Sequence, residues 1–321
     1  MSAARRLSVV LPVHDAAEHV HGALTSVLGQ TFGDFELIVV DDQSTDGSLE
    51  IVRELAAQDP RINVVVLDER LGVAGALNAG IARATAPLIA RMDADDIARP
   101  GRFALQVAEM ERDATLGLLG GQIEIIGRDG KTEEMVPWVL PLTHDETAWR
   151  LLHGTPVCHP TVVMRTRVVR QLGGYDPNFP NEDMELWTRM AFVTRMRNLD
   201  AVLLDYRMPA EEHAVKLAGW QPHITRVSQR YLERIIGAPV AESAVLALRG
   251  IVTDQYSNPV FTGLTRFNSA SLLVRAFAQM QHLGVLCGDG LSTVFGLMQS
   301  HVEALAATAH QQMSQGILRG R

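Results

Sequence analysis

The first hundred residues alternate two hydrophobic patterns. Short apolar runs rich in β-branched residues, at 7–12, 35–41, 62–67 and 88–92, predict strands. Between them, 20–29, 48–58 and 74–84 carry the spacing of helices, and Ser44, Thr45 and Asp46 offer caps before the second of these. Strands that are apolar throughout and separated by helices predict a parallel sheet covered on both faces. Ligands are then expected beyond the carboxyl ends of the strands. Those ends are acidic: Pro12-Val-His-Asp15, Asp41-Asp42 and Asp93-Ala-Asp95.

A helix is expected from about residue 103 to 113, after which the regularity falls away. Short strands are expected at 116–120, 122–126, 161–164 and 201–206, and helices at 144–153, 165–172 and 182–194. Turns are expected at 128–130 and 173–177, with a polar, Pro-punctuated stretch leading up to 143. Beyond about residue 209 the strand signal ends, and helical spacing recurs near 223–236, 243–250, 271–283 and 291–307. The expected organisation is an α/β domain over 1–210, in halves 1–112 and 113–210, followed by a helical carboxyl-terminal appendage over 211–321.

Composition narrows the classes of function. With 47% hydrophobic and 21% charged residues the chain can bury an ordinary globular core. Its net charge is −8 and no block of Lys or Arg occurs, which disfavours nucleic acid as a partner, since such binding runs on phosphate neutralisation. Cys158 and Cys287 are too few and too far apart for a disulfide framework or a structural zinc site. No apolar run approaches the roughly 18 residues of a membrane span, and the first apolar run is too short for a signal sequence. A cytoplasmic protein in a reducing compartment is the expectation.

The acidic strand ends carry the candidate chemistry. Residues two apart on an extended backbone point the same way, so Asp93 and Asp95 can converge. Converging carboxylates call for a cation or a shared proton, and a small divalent ion completes its shell with water and substrate phosphates. The bland alternative is an acidic turn after a strand. Asp42 can accept from a ligand N–H such as the imide of uracil. Glu182 and Asp183 open a helix after Pro180, where they either complement the helix dipole or supply a base to an acceptor hydroxyl.

Five segments in order, 8–14, 30–47, 71–81, 91–103 and 173–187, resemble family 2 glycosyltransferases of the GT-A fold, an inverting family that uses nucleotide-diphospho-sugars. The resemblance runs from about residue 7 to 206. It implies that Pro12, Val13 and His14 line the base and ribose and that Asp42 holds the base. It implies further that Asp95 coordinates a divalent metal, Mn or Mg, and that Asp93 lies near the ribose or the metal-bound diphosphate. Asp183 would be the catalytic base, with Glu182 beside it shaping acceptor binding and Asp96 supporting the loop. The chain departs from the pattern at His14-Asp15, where many relatives carry an aromatic residue and then Asn. That departure bears on nucleotide identity, although a UDP-sugar is the expected donor. His159 precedes a strand and faces either the acceptor or the interior. His213 is expected in a solvated loop, with reach to the metal as the alternative. Trp149 and Trp187 are expected in the core.

The implied partners are a nucleotide-diphospho-sugar donor and a glycan or glycolipid acceptor of surface polysaccharide assembly. Three other readings compete: a non-catalytic nucleotide-sugar binder, a phosphohydrolase, and a nucleotidyltransferase. The last needs a Gly-rich basic loop that residues 12–18 lack. The helical region is expected to cover the acceptor cleft or pair two subunits. Peripheral membrane contact ranks last, because its helices lack a Lys/Arg-rich face.

Overall fold

The computed structural model describes the backbone of residues 5–133, 138–252 and 263–314, and their side chains outside 210–218, 250–252, 263–268 and 308–314. By internal contacts the chain divides into two compact units, Met1–Leu142 with Val157–Ala218, and Thr143–Pro156 with Gly219–Arg321.

In the first unit, β1 (Leu7–Val13), α1 (Val20–Leu28), β2 (Phe35–Asp41), α2 (Ser48–Ala56), β3 (Ile62–Val66), α3 (Gly72–Arg83) and β4 (Leu88–Arg91) give the strand–helix alternation. A two-residue strand β5 (Ile97–Ala98), α4 (Arg102–Arg112) and β6 (Leu116–Ile126) follow. After α5 (His144–Arg150), which belongs to the second unit, come β7 (Val163–Arg165), α6 (Thr166–Gln171), α7 (Glu182–Met190) and β8 (Arg195–Arg207). The eight strands form one sheet in the order β3-β2-β1-β4-β7-β6-β8-β5. The first four are parallel, β7 runs antiparallel to β4 and β6, β8 is parallel to β6, and β5 is antiparallel to β8.

Strand β1 explains why both faces are covered. Leu7, Val9, Leu11 and Val13 join one apolar cluster with Val20, Leu24 and Val27 of α1 and Phe103, Val107 and Met110 of α4. The alternate residue Val10 points the other way, onto Gly80 of α3. A Cβ on Gly80 would lie 2.4 Å from Val10 Cγ1 and 3.3 Å from Val40 Cγ2. An exposed helical Gly→Ala change gains about 1 kcal/mol. Here overpacking against two β-branched side chains outweighs that gain, and Gly80→Ala is expected to lower unfolding stability by about 1–2 kcal/mol in urea titration.

Gln30 braces the segment that follows β5. Its Nε2 donates to the carbonyls of Ser26 (3.2 Å) and Arg99 (2.8 Å), while Oε1 accepts from Phe103 N (3.1 Å). A buried amide whose donor and acceptor ends are both used pins the entry to α4 against α1.

Several elements differ from expectation. The two short strands expected at 116–126 are one strand, β6, and the break between them at Gly121 is a register shift against β8, from Gly121 to Gln122, rather than an end. Strand β8 begins at Arg195, six residues before its apolar part, because its polar first half is an ordered ladder on β6. Helix α7 accordingly stops at Met190. Thr161 lies in a 3-10 turn, His159–Thr161. His213 falls in helix α8 (Ala210–Ile236) and not in a loop, and its side chain lies outside the described residues. Residues 134–137 of the Pro-punctuated stretch also lie outside them.

The second unit holds α5 and the helices α8, α9 (Glu242–Val252), α10 (Gly263–His282) and α11 (Leu291–Ser314). Thr143 and Glu146 form a reciprocal capping box at the start of α5. The buried Asp145 carboxylate accepts from Cys287 N (3.1 Å) and Gly288 N (2.9 Å), and Trp149 meets Phe277 edge-on at 6.1 Å. Among the described residues no helix is long and apolar enough to cross a membrane.

Candidate active site

The carboxyl ends of β1, β2 and β4 open onto one cleft of about 280 Å³, lined by Pro12, Val13, His14, Asp42, Asp93 and Asp95, with Val73 and Ala76 added from α3. The six residues expected to contact donor and metal are thus brought to one place.

The loops after β1 and β2 are clasped together. Asp15, at φ +46°, accepts from Thr45 N (2.7 Å), and Ala16 N and Ala17 N donate to Ser48 Oγ and Asp46 Oδ2 at 2.8 Å each. Asp46 Oδ1 also accepts from Ser48 N at 3.0 Å, so this residue ties two loops as well as the start of α2. His14 Nδ1 donates to the Asp42 carbonyl at 2.8 Å; a carbonyl only accepts, which fixes the proton on Nδ1. The buried Asp42 carboxylate accepts from Leu71 N (2.7 Å) and Gly72 N (2.8 Å), so it also holds the approach to α3. Each of its oxygens keeps a second lone pair for a ligand donor.

The acids after β4 form a cluster. Asp93, Asp95 and Asp96 each offer an oxygen, all within 4.8 Å of one another. Asp96 is fully buried: one oxygen accepts from Arg207 N at 2.8 Å, and the other has no protein partner. Burial, then the charges of Asp93 and Asp95, push the Asp96 carboxyl well above the usual carboxylate range. Arg207 ties the loop down from β8, donating Nε to the Asp95 carbonyl at 2.8 Å and Nη1 to the Gly127 carbonyl at 2.7 Å.

Arg91 sits at the centre of the acids. It is 4% exposed and pairs its guanidinium with Asp93. Burial opposes its charge, but Asp93 and then Tyr175 and Glu182 more than offset this, so its pKa rises. Below it, Arg102 donates Nη2 to the Arg91 carbonyl at 2.8 Å, and burial draws its pKa down to about 9.

Glu182 and Asp183 occupy the first turn of α7, behind an Asn181 cap whose side chain makes no capping bond. Burial, then the charge of Asp183, lifts Glu182 to about 8. Burial raises Asp183 as well, held back by the Met184 N–H and by Arg91. The field of Arg91 therefore links these two acids to Asp93. Trp187 and Trp149 are fully buried.

Sequence reading assigned no role to Arg91, Arg207 or Tyr175. The signal for Arg91 was present: a charge closing a run that is apolar on both faces must find a partner. Arg207 gave none, because its targets are carbonyls distant in sequence.

The sheet and its flanking helices define a GT-A glycosyltransferase fold. Among solved structures, Staphylococcus aureus TarS 1–349 in complex with UDP superposes with a TM-score of 0.57 at 18% identity, covering 97% of this chain and 92% of that one. A mannosyltransferase, PcManGT from Pyrobaculum calidifontis in complex with GDP-Man and Mn2+, gives 0.56 at 18% identity, over 96% and 88%. Residues 8–173 match the family profile described as Glycosyl transferase family 2, and the chain belongs to that family. The amylovoran biosynthesis glycosyltransferase AmsE of Erwinia amylovora is 32% identical over 204 residues, 63% of this chain and 75% of that protein. The O-antigen biosynthesis glycosyltransferase WbnJ of Escherichia coli is 30% identical over 209 residues, 63% and 79% respectively. Against an uncharacterized glycosyltransferase of Haemophilus influenzae, 29% identical over 212 residues, the chain spans 65% of that protein's length.

Proposed function

We propose that the protein transfers a sugar from a nucleotide diphosphate, a UDP-sugar, to an acceptor hydroxyl with inversion, in assembly of a surface polysaccharide or glycolipid. The observation that carries this reading is the division of acids around Arg91. Asp93, Asp95 and Asp96 gather at the donor cleft, and Glu182 and Asp183 stand on the first turn of α7. Relatives named for amylovoran and O-antigen biosynthesis support the polysaccharide class.

Pro12, Val13 and His14 would border the base and ribose, and the free lone pairs of Asp42 would accept the imide N–H of uracil. The acid cluster fits a hard divalent ion, Mn or Mg: its donors are all carboxylate oxygens, and one of them is buried without a partner. Asp95 and Asp93 would hold it, with the free oxygen of Asp96 beside them. A cation held there would supply positive charge to offset that of the leaving diphosphate. Asp183 accepts the proton of the acceptor hydroxyl as its oxygen bonds to the anomeric carbon. The bond from that carbon to the phosphate oxygen breaks, its electron pair leaving with the nucleoside diphosphate. Attack opposite the leaving group inverts the configuration.

The test is a panel of UDP- and GDP-sugars with Mn or Mg, read as free nucleoside diphosphate. Release from a UDP-sugar is expected, and Asp95→Asn is expected to lower it at least about 100-fold, more than the loss of a residue that merely orients a metal ligand. Donor binding in thermal shift with no release from any sugar overturns the enzymatic reading in favour of a binder.

A further inference from the structure

His159 is buried, yet no donor, metal or base role uses it. Its two ring nitrogens address two different groups: Nε2 lies 2.8 Å from the Tyr175 hydroxyl and Nδ1 lies 3.6 Å from Glu182 Oε1. The ring is wedged edge-on against Trp187, with centroids 5.7 Å apart at 83°, and tilted against Tyr175 at 5.3 Å.

Tyr175 is itself held from two helices. Asn78 of α3 accepts from its N–H at 2.9 Å and donates to its carbonyl at 2.8 Å. Gly174, at φ +74°, lets the chain come so close that a Cβ there would lie 2.4 Å from Asn78 Oδ1. From α7, Arg189 donates to the carbonyls of Leu172 (2.6 Å) and Gly174 (2.7 Å). The Tyr175 hydroxyl is thus a fixed point for the His159 ring.

Burial, then the charge of Arg91, keeps this imidazole neutral. A neutral imidazole has one N–H and one lone pair. If Nε2–H donates to Tyr175, Nδ1 turns a lone pair toward Glu182, which fits a protonated carboxyl. The reverse tautomer fits an ionised Glu182 next to Asp183, and two adjacent half-buried carboxylates resist ionising together. The raised proton affinity of Glu182 selects the first arrangement at neutral pH. The other charged groups acting on Glu182 are Asp183, Arg91 and Asp93, none of which offers its proton a neutral acceptor.

We infer that His159, fixed by Tyr175, is a positioning residue for the acceptor-side acids: its Nδ1 lone pair keeps Glu182 as the proton-bearing member, so that Asp183 is the ionised one. The inference rests on Asp183 being the base and adds what keeps that base charged.

The test is carboxyl-¹³C NMR titration of the full chain, with the Glu182 signal assigned by Glu182→Gln. His159→Phe keeps an aromatic ring but removes the lone pair, and is expected to lower the Glu182 titration by about one pH unit. With Glu182 ionised earlier, Asp183 holds its proton more tightly. The acidic limb of kcat, measured with the UDP-sugar that the panel finds active, should move to higher pH while the donor KM stays within about twofold. Tyr175→Phe, a smaller change that frees the tautomer, should shift Glu182 in the same direction, and serves if His159→Phe fails to fold. An unmoved Glu182 titration in a folded variant overturns the proposal and leaves His159 a packing residue. If Asp183→Asn turns over normally, the base assignment fails, while the NMR result stands or falls separately.

Discussion

Asp183→Asn is expected to lower turnover about 10²- to 10⁴-fold, the loss ordinarily seen when an essential general base is removed. The substitution is nearly isosteric and keeps an oxygen for the Met184 N–H, so the first turn of α7 should survive. What disappears, on the proposed mechanism, is the group that takes the hydroxyl proton. Burial raises the proton affinity of Asp183, which suits a base but destabilises the fold at higher pH. The sign follows from linkage. A carboxyl whose folded pKa exceeds its unfolded value binds more protons in the folded state, so its contribution is fully present at low pH and is lost as pH rises through the folded pKa. Asp183→Asn, which cannot ionise, should therefore show a thermal midpoint equal to or above wild type at pH 8, together with the loss of turnover. Nucleoside diphosphate release and thermal melting at two pH values check both halves. Near-normal release from the variant would remove Asp183 from the mechanism.

The gathering of Asp42, Asp93 and Asp95 at one cleft was legible in the sequence because its determinants are local. Asp42, Asp93 and Asp95 lie at or just beyond strand ends, and a parallel alternation of strands and helices brings such ends to one rim. The apolar runs that set β1, β2 and β4 are short, broken by no more than a Ser8 or a Glu36, and bounded by turn residues, so period and length agreed. The region after residue 113 was less legible because its order comes from partners. The first half of β8, Arg195-Met-Arg-Asn-Leu-Asp200, is mostly polar, and only its ladder on β6 makes it a strand. The segment holding α5 packs in the second unit, secured by Asp145 against the backbone at Cys287 and Gly288, a contact between residues more than 140 apart in sequence. The dual task of Asp42, which binds the backbone ahead of α3 while facing the cleft, was invisible for the same reason. So was the line from Asn78 through Tyr175 to His159, three residues whose spacing carries no hint that they touch.

Arg91→Met is expected to damage both stability and activity, and the two losses should depend on pH in opposite directions. The guanidinium is buried and is the cation that Asp93, Glu182 and Asp183 all feel. Removing one partner of a buried pair commonly costs about 3–5 kcal/mol, and the low end applies here because Asp93 is 27% exposed and can draw on water. Met preserves the apolar bulk of the side chain, so the loss reports the charge. Without Arg91 the proton affinities of Glu182 and Asp183 should climb further above their unfolded values. By the linkage argued for Asp183, the variant is then least stable at high pH and regains stability as pH falls and the acids take up protons. Activity moves oppositely within the variant, since on the proposed mechanism Asp183 must be ionised to act, and its acidic limb should shift upward. No pH can then satisfy both requirements: the fold needs the acids protonated and the reaction needs Asp183 charged. Arg91 reconciles the two by stabilising the ionised acids inside the fold. Urea titrations of wild type and Arg91→Met at pH 6 and pH 8, with turnover at each, would reveal it. A stability loss that does not change with pH would mean that Arg91 serves packing alone.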